Sequence, residues 1–303
     1  MSRAREERGQ VFFLSTVIML SLLGMTALVL EVGSWFRAQR QMQATADAAA
    51  LAGAQFLPDD TQTAQQKAVQ YGNDNGGGVD AADVTFNGSN QISVVARKQS
   101  PGFFSRIFGI DLVDVNAKAV ARVDSPQQAQ YVAPMVVDCD HPLIQDCDGK
   151  HTPTFNIPTT LPFDPMGAPG AFGMLNLDGQ SGTVGTSDEA TWILHGYNKY
   201  LPLGIYRSDP GAKFSSSQID DALNARIGTV LLFPVFRTLD LQGQNAQYDI
   251  MGWIGFHLTS YVVHGNSATL IGYFTTFLAE GILAQQGPGS PATFGVKSIE
   301  LIQ

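Results

Sequence analysis

Four residues in the stretch DCDHPLIQDCDGKH, residues 138–151, have side chains that could bind a metal or form a disulfide. Cys139 and Cys147 have seven residues between them, and His141 and His151 lie in the same stretch. Two thiolates and two imidazoles can hold zinc, although the spacing Cys-x-His-x5-Cys-x3-His is not a familiar zinc-finger pattern. In an oxidising compartment the two cysteines suit a small disulfide loop. We expect a Cys139–Cys147 disulfide and no bound metal, with zinc as the alternative.

The same stretch holds carboxylates that are hard oxygen ligands for calcium. They lack the regular loop spacing and the closing Glu of a calcium loop, so we expect a solvated acidic loop. The aspartates are Asp138, Asp140, Asp146 and Asp148.

No catalytic motif stands out elsewhere. The histidines His195, His257 and His264 are isolated, and the sequence has no Gly-x-Ser-x-Gly, His-Glu-x-x-His or phosphate-binding loop. We therefore predict no catalytic residue, no cofactor and no enzymatic activity.

The first structural element of the chain is an uncharged run at residues 11–30, VFFLSTVIMLSLLGMTALVL. Twenty helical residues span about 30 Å, the thickness of a bilayer core. A secretory signal peptide is the rival interpretation, but its apolar region is shorter and a cleavage site follows it closely. Trp35 follows at interface depth, and the basic residues that precede the run favour an N-terminus inside the cell. These basic residues are Arg3, Arg5 and Arg8.

An alanine-rich stretch continues the apolar run without a break. Between Ser34 and Leu57 there is no proline, and alanine is the best helix former. We predict one helix over residues 11–57, about 70 Å long, which Pro58 ends. Its smooth face suits close packing, either against helices of partner proteins or against its own domain. The expected packing residues are Ala46, Ala48, Ala49, Ala50, Ala52, Gly53 and Ala54.

Residues 8–54 resemble the N-terminal region of the TadE/TadG-like proteins of tight-adherence (Flp-type) pilus systems. The resemblance rests on an ordered series of motifs across the first 57 residues. Residues 101–123, and more loosely 172–179 and 221–236, resemble later segments of such proteins. The N-terminal motifs are Arg8-Gly9, Glu31-Val32-Gly33, Trp35, Arg37, Gln43 and the run Ala46–Ala54.

The resemblance implies a pilus-assembly or secretion component in the bacterial cytoplasmic membrane. Some members are cut by a prepilin peptidase after a glycine, and Gly9–Gln10 stands at that place. Pilin-type substrates carry Glu at the fifth position after the cut, where this chain has Leu14. We therefore favour an uncleaved, TadG-type anchor.

The rest of the chain reads as folded and acidic. Residues 1–57 hold five Lys/Arg and four Asp/Glu, which leaves 13 Lys/Arg and 23 Asp/Glu for the remainder. An acidic body is a poor nucleic-acid binder. Helix and strand patterns predict an α+β fold: a cytoplasmic basic segment at 1–10, the long helix at 11–57, a small α+β unit at 58–124 and a mostly-β domain with two helices at 125–303.

Local patterns also predict single elements within these regions. A hairpin turn at residues 87–90 joins strands at 83–86 and 91–97, and residues 125–130 read as a linker. In the mostly-β domain the predicted strands include 229–236, 248–263 and 268–278. The predicted helices are about 187–200, with Thr186 and Glu189 as a capping box, and about 217–226.

These features predict a single-pass membrane component of a tight-adherence pilus or secretion system, with its body outside the cytoplasm and on the cell surface or pilus. The expected partners are other pilus components or pilin-like helices. No small-molecule substrate is indicated. The alternative is a membrane-tethered module that binds a glycan or surface, for which aromatic residues between 192 and 206 are the candidates.

Overall fold

The computed structural model divides the chain into two compact units, Met1–Arg122 with Glu300–Gln303, and Val123–Ile299. The structure describes residues 3–148, 151–163, 173–179, 183–209, 213–240, 245–265, 267–279, 281–283 and 294–302.

The first unit is built on one long helix, α1, which spans Arg3–Ala54. It begins earlier and ends earlier than the predicted helix over residues 11–57. The C-terminal end of the helix comes before residue 57 because the amides of Phe56 and Leu57 donate to carbonyls three residues earlier, which tightens the last turn. Pro58 then has no amide with which to continue the helix.

A second helix and a small sheet complete the first unit. Helix α2 spans Thr61–Asp74, and the Asp60 carboxylate caps it by accepting from the Thr63 amide at 2.9 Å. An antiparallel sheet of order β1-β2-β3 follows, in which the turn predicted at residues 87–90 joins the first two strands, with Asn87 itself as the last residue of β1. Its strands are β1 (Val84–Asn87), β2 (Gln91–Pro101) and β3 (Leu112–Asp124).

The second unit centres on a six-stranded sheet. Its path runs β5-β9-β10-β11-β6, with β8 paired to β10. The three long strands follow the apolar, β-branched runs that the sequence analysis identified as strands. The strands are β5 (Val137–Asp138), β6 (Pro158–Phe163), β8 (Gly204–Arg207), β9 (Val230–Asp240), β10 (Gln247–His264) and β11 (Ser267–Thr275).

Smaller strands form the remaining pairs in this unit. A three-stranded sheet has the order β13-β4-β7, and β12 pairs in parallel with β14. The predicted single strand over residues 268–278 is therefore two strands with different partners. The bounds are β4 (Pro126–Ala129), β7 (Leu201–Pro202), β12 (Phe277–Leu278), β13 (Gly281–Leu283) and β14 (Val296–Ile302), whose last residues belong to the first unit.

Two helices pack on the sheet core of the second unit. Helix α4 spans Ser217–Arg226, as predicted. Helix α3 spans Thr186–His195 and ends before the predicted residue 200, at Gly196 with φ +75°. A Cβ on Gly196 would lie 2.3 Å from the carbonyl oxygen of Tyr131, so only glycine fits this ending.

The predicted fold class is confirmed. A long apolar N-terminal helix leads into a small helix and a largely stranded C-terminal part. Among the described residues, α1 is the one helix that is long and apolar enough to cross a membrane, over Gln10–Ala54.

Candidate functional site

The end of the apolar run is held by a buried carboxylate, Glu31. Its side chain is 3% exposed and accepts hydrogen bonds from a loop more than 70 residues further along the chain. The amides of Phe103, Phe104 and Ser105 donate to its two oxygens at 3.0–3.2 Å. The Ser105 hydroxyl donates to Oε1 at 2.6 Å. Hydrogen bonds to a charged acceptor are short and strong, so Glu31 fixes this loop to the helix.

The loop is shaped to reach the carboxylate. A Cβ on Gly102 would lie 2.1 Å from the Ser105 hydroxyl oxygen and 2.6 Å from the Ile110 carbonyl oxygen, so this glycine permits the close turn. The short 3-10 helix Ser105–Phe108 then ends at Gly109, whose φ is +82°. Glu31 and residues 101–123 both resemble segments of the same family, but nothing in their sequences predicts that they are in contact. An acidic residue directly after an apolar run was the available clue.

The large apolar side chains of this loop are exposed. Phe108 is 84% exposed and Ile107 is 77% exposed. Only one ion pair interrupts this surface, between Arg106 Nε and Asp111 Oδ1 at 2.8 Å. We call residues 102–112 the apolar loop. Its other exposed apolar side chains are Phe103, Phe104, Ile110 and Leu112.

Most of the predicted packing residues contact the first unit itself. The inward face of α1 lies against α2 and β2 of the same unit. At Gly53 an added Cβ would lie 2.8 Å from the Ala64 carbonyl oxygen and 2.5 Å from Ile92 Cδ1. The predicted residues that are buried are Ala46, Ala49, Ala50, Ala52, Gly53 and Ala54.

The opposite face of α1 remains open. Ala48 is partly exposed, and exposed or partly exposed residues at helical spacing extend this face. Packing of a partner helix is therefore a prediction for this outer face alone. We define the outer face of α1 as Phe36, Arg40, Ala44, Ala48 and Leu51.

The predicted cleavage position lies within α1. Gly9 and Gln10 are both helical, and Gln10 is exposed. The uncleaved anchor stays a prediction, and cleavage after Gly9 stays its alternative.

The same N-terminal region matches a known family. Residues 9–55 match a family described as “Putative Flp pilus-assembly TadE/G-like”. The resemblance is thereby confirmed over this TadE/G-like segment. For residues 101–123, 172–179 and 221–236 it remains a prediction. No curated protein and no solved structure matches the chain.

The cysteines lie beyond the TadE/G-like segment, in the second unit. The structure joins Cys139 and Cys147 in a disulfide with Cα atoms 4.9 Å apart. His141 is not directed at them: its ring packs edge-on against Phe274 at 5.1 Å, and burial lowers its pKa.

A group of three side chains near the disulfide could hold a cation. Asp146, Asp148 and His151 offer ligand atoms that lie within 4.8 Å of one another. The His151 Nδ1 lies 3.4 Å from Asp148 Oδ1 and 3.7 Å from Asp146 Oδ1. A hydrogen bond from the His151 amide to Asp146 Oδ1, at 2.7 Å, accounts for much of the arrangement without a metal.

A buried charge cluster in the second unit was not predicted. Glu189 and Asp209 are both fully buried, and Lys213 Nζ lies 2.5 Å from Asp209 Oδ2 and 3.3 Å from Glu189 Oε2. Asp209 Oδ1 also accepts from the Val184 amide, and Lys213 donates to the Val184 carbonyl. Burial, with the neighbouring Asp209 carboxylate, raises the pKa of Glu189 to about 9.

This cluster corrects one detail of the sequence interpretation. The spacing of Thr186 and Glu189 predicts a capping box at the start of α3. The N-cap is instead Gly185, which has no side chain to cap with, and Glu189 points into the unit toward Lys213. Lys213 lies 24 positions further along the chain, so this contact could not be predicted from local spacing.

The aromatic residues suggested for glycan binding do not form an exposed platform. Trp192 and Tyr197 pack edge-to-face at 5.2 Å, and Tyr197 is 7% exposed. The Tyr206 hydroxyl donates to the Pro202 carbonyl at 2.6 Å. Tyr200 is half exposed. Packing within the unit accounts for most of this group.

Proposed function

We propose that this protein is a single-pass membrane component of a tight-adherence pilus assembly or secretion system, acting through protein contacts rather than catalysis. The observation that carries the proposal is that one segment, residues 9–55, both matches the pilus-assembly family and forms the apolar helix. The helix fits a single membrane span.

The proposed orientation places the N-terminus in the cytoplasm and the folded body outside it. The basic residues before the apolar run and Trp35 after it support this direction. The disulfide is consistent with an oxidising compartment for the second unit.

The proposed role of α1 beyond the membrane is to present its outer face to a pilus component. The inward face is occupied by α2 and β2, so it supports the fold of the first unit. The outer face carries small residues, Ala44 and Ala48, which allow another helix to approach closely.

Mass spectrometry of the protein from native membranes tests the anchor. We expect a mature chain that begins at Met1 or Ser2, because Leu14 replaces the Glu of pilin-type substrates. A chain that begins at Gln10 would instead indicate peptidase processing and a subunit that can enter a fibre. A start near residues 45–50 would make the apolar run a signal peptide and would contradict the proposal.

An arginine on the outer face tests the partner contact. In Ala48→Arg the long charged side chain blocks close helix approach without entering the packed side of α1. We expect copurification with the other pilus components from detergent-solubilised membranes to fall at least tenfold, corresponding to about 1.4 kcal/mol of binding energy. Extraction of the protein with the membrane fraction should not change.

The matched control is Gln66→Arg, which places the same side chain on an exposed position of α2. It should leave copurification unchanged. Ala52→Arg is unsuitable because Ala52 is 6% exposed on the packed side, and its effect would report folding. Equal copurification of Ala48→Arg and wild type would rule out the outer face as the contact.

A further inference from the structure

The apolar loop presents more exposed apolar surface than a water-facing loop normally does. Six large apolar side chains lie among its eleven residues, each at least 43% exposed. Contiguous exposed surfaces of this kind mark contacts with a protein or a membrane. The side chains are Phe103, Phe104, Ile107, Phe108, Ile110 and Leu112.

The position of the loop along α1 favours lipid. Glu31, which binds the loop, directly follows the apolar run of residues 11–30. Leu28, Val29 and Leu30 are each more than 60% exposed, so they face whatever surrounds the helix at this level. Because the loop is hydrogen-bonded to the next residue, it lies at the same level and faces the same surroundings.

The packed protein around α1 also buries one residue at the end of the apolar run. Ala27 lies one turn before Glu31 on the same face of α1 and is only 5% exposed. Met25 and Leu28, which point in other directions, are more than 60% exposed. Packed protein therefore covers this face of α1 as far as residue 27, about 4.5 Å on the N-terminal side of residue 30.

Residues of α1 beyond Glu31 suit a membrane interface. Phe36 is 65% exposed on α1, about 7.5 Å beyond Glu31 along the helix axis, and adds apolar surface there. Arg37 and Arg40 are exposed and can reach lipid phosphates with their long side chains.

We propose that the apolar loop is a second membrane contact, which inserts its phenylalanine and isoleucine side chains into the outer part of the bilayer beside α1. Glu31 acts as the positioning residue that holds the loop at this depth. The inference rests on the proposed membrane anchoring of α1, and the experiment below separates the two.

Fluorescent depth measurement tests the insertion on the full chain. Single cysteines at Ile107 and Phe108 are labelled with an environment-sensitive fluorophore without reductant, so that the Cys139–Cys147 disulfide does not react. The protein is reconstituted into vesicles of equal parts phosphatidylcholine and phosphatidylglycerol, with and without doxyl-labelled phosphatidylcholine. Val29→Cys serves as the label within the apolar run, and Gln66→Cys as the label on an exposed polar surface.

We expect doxyl lipid to quench the labels at residues 107 and 108 several-fold more than the label at residue 66, approaching the quenching at residue 29. Aqueous iodide should show the reverse order. In the background of Glu31→Gln, which removes the charge that holds three amides and a hydroxyl, quenching of the residue 108 label by lipid should decrease.

Three outcomes would overturn the proposal. Iodide quenching at residues 107 and 108 equal to that at residue 66, with lipid quenching intact at residue 29, would leave α1 anchored and the loop in water. Protection of both loop labels from iodide and from doxyl lipid would show that protein covers the loop. Loss of lipid quenching at residue 29 would remove the membrane anchor itself, and with it the proposed function.

Discussion

Gly53→Val is expected to destabilise the first unit by about 3 kcal/mol, which is a large fraction of the stability of a small domain. The cause is the absence of space between α1 and its neighbours. The first added carbon atom would already lie 2.5 Å from Ile92 Cδ1, 2.8 Å from the Ala64 carbonyl oxygen and 3.1 Å from Ala68 Cβ. Ile92 can rotate away, but the Ala64 oxygen belongs to the backbone of α2 and can move only if the helix moves.

Hydrogen–deuterium exchange of the full chain in detergent micelles measures this effect locally. Amides of α2 and β2 should exchange faster in Gly53→Val than in wild type, since exchange reports local opening. The matched control is Gly33→Val in the same helix, where an added Cβ meets nothing within 4 Å. Equal protection of α2 in the two variants would contradict close packing at Gly53.

The second large effect is expected at Glu189 and depends on pH. The folded state keeps a proton on Glu189 up to a pKa of about 9, whereas the unfolded chain releases it near the ordinary value of 4.5. Between these values the folded state binds more protons than the unfolded state, so the free energy of unfolding falls as pH rises. One proton corresponds to a slope of about 1.4 kcal/mol per pH unit.

Glu189→Gln should remove this slope, because an amide of similar shape does not titrate. Lys213 then keeps Asp209 as its partner, at 2.5 Å. Denaturant unfolding at several pH values between 5 and 8 gives the free energy of unfolding. We expect the free energy of unfolding of the variant, relative to that of wild type, to increase steadily as pH rises. Asp188→Asn makes the same type of change at the neighbouring, exposed position and should leave the slope as in wild type. Parallel profiles for Glu189→Gln and wild type would show that Glu189 does not hold the extra proton.

Periodic patterns predicted the elements that bury a regular face. The helix over 217–226, the hairpin around residues 88–90 and the long strands near 230, 248 and 268 all follow from local spacing. The short strands do not, because their partners are distant. Pro126–Ala129, which reads as a linker, is strand β4 because β7 and β13 supply its hydrogen bonds.

The contacts at the candidate site likewise could not be predicted from local sequence. The alanine-rich stretch predicted close helix packing, but local sequence could not decide whether the packing partner was another protein or the chain itself. Contacts such as Glu31 with Ser105 join residues 74 positions apart. Each residue is unremarkable alone, and only the fold brings the carboxylate to the three amides.

Under the proposed membrane anchoring, the continuity of α1 couples the bilayer mechanically to the folded part of the first unit. Residues 31–54 extend the helix by about 36 Å beyond the apolar run. The packed face of Gly53 and the hydrogen bonds at Glu31 clamp the unit near both ends of this extension. A tilt of α1 by about 20° in the membrane therefore displaces the far end of the helix by about 12 Å and rotates the first unit with it.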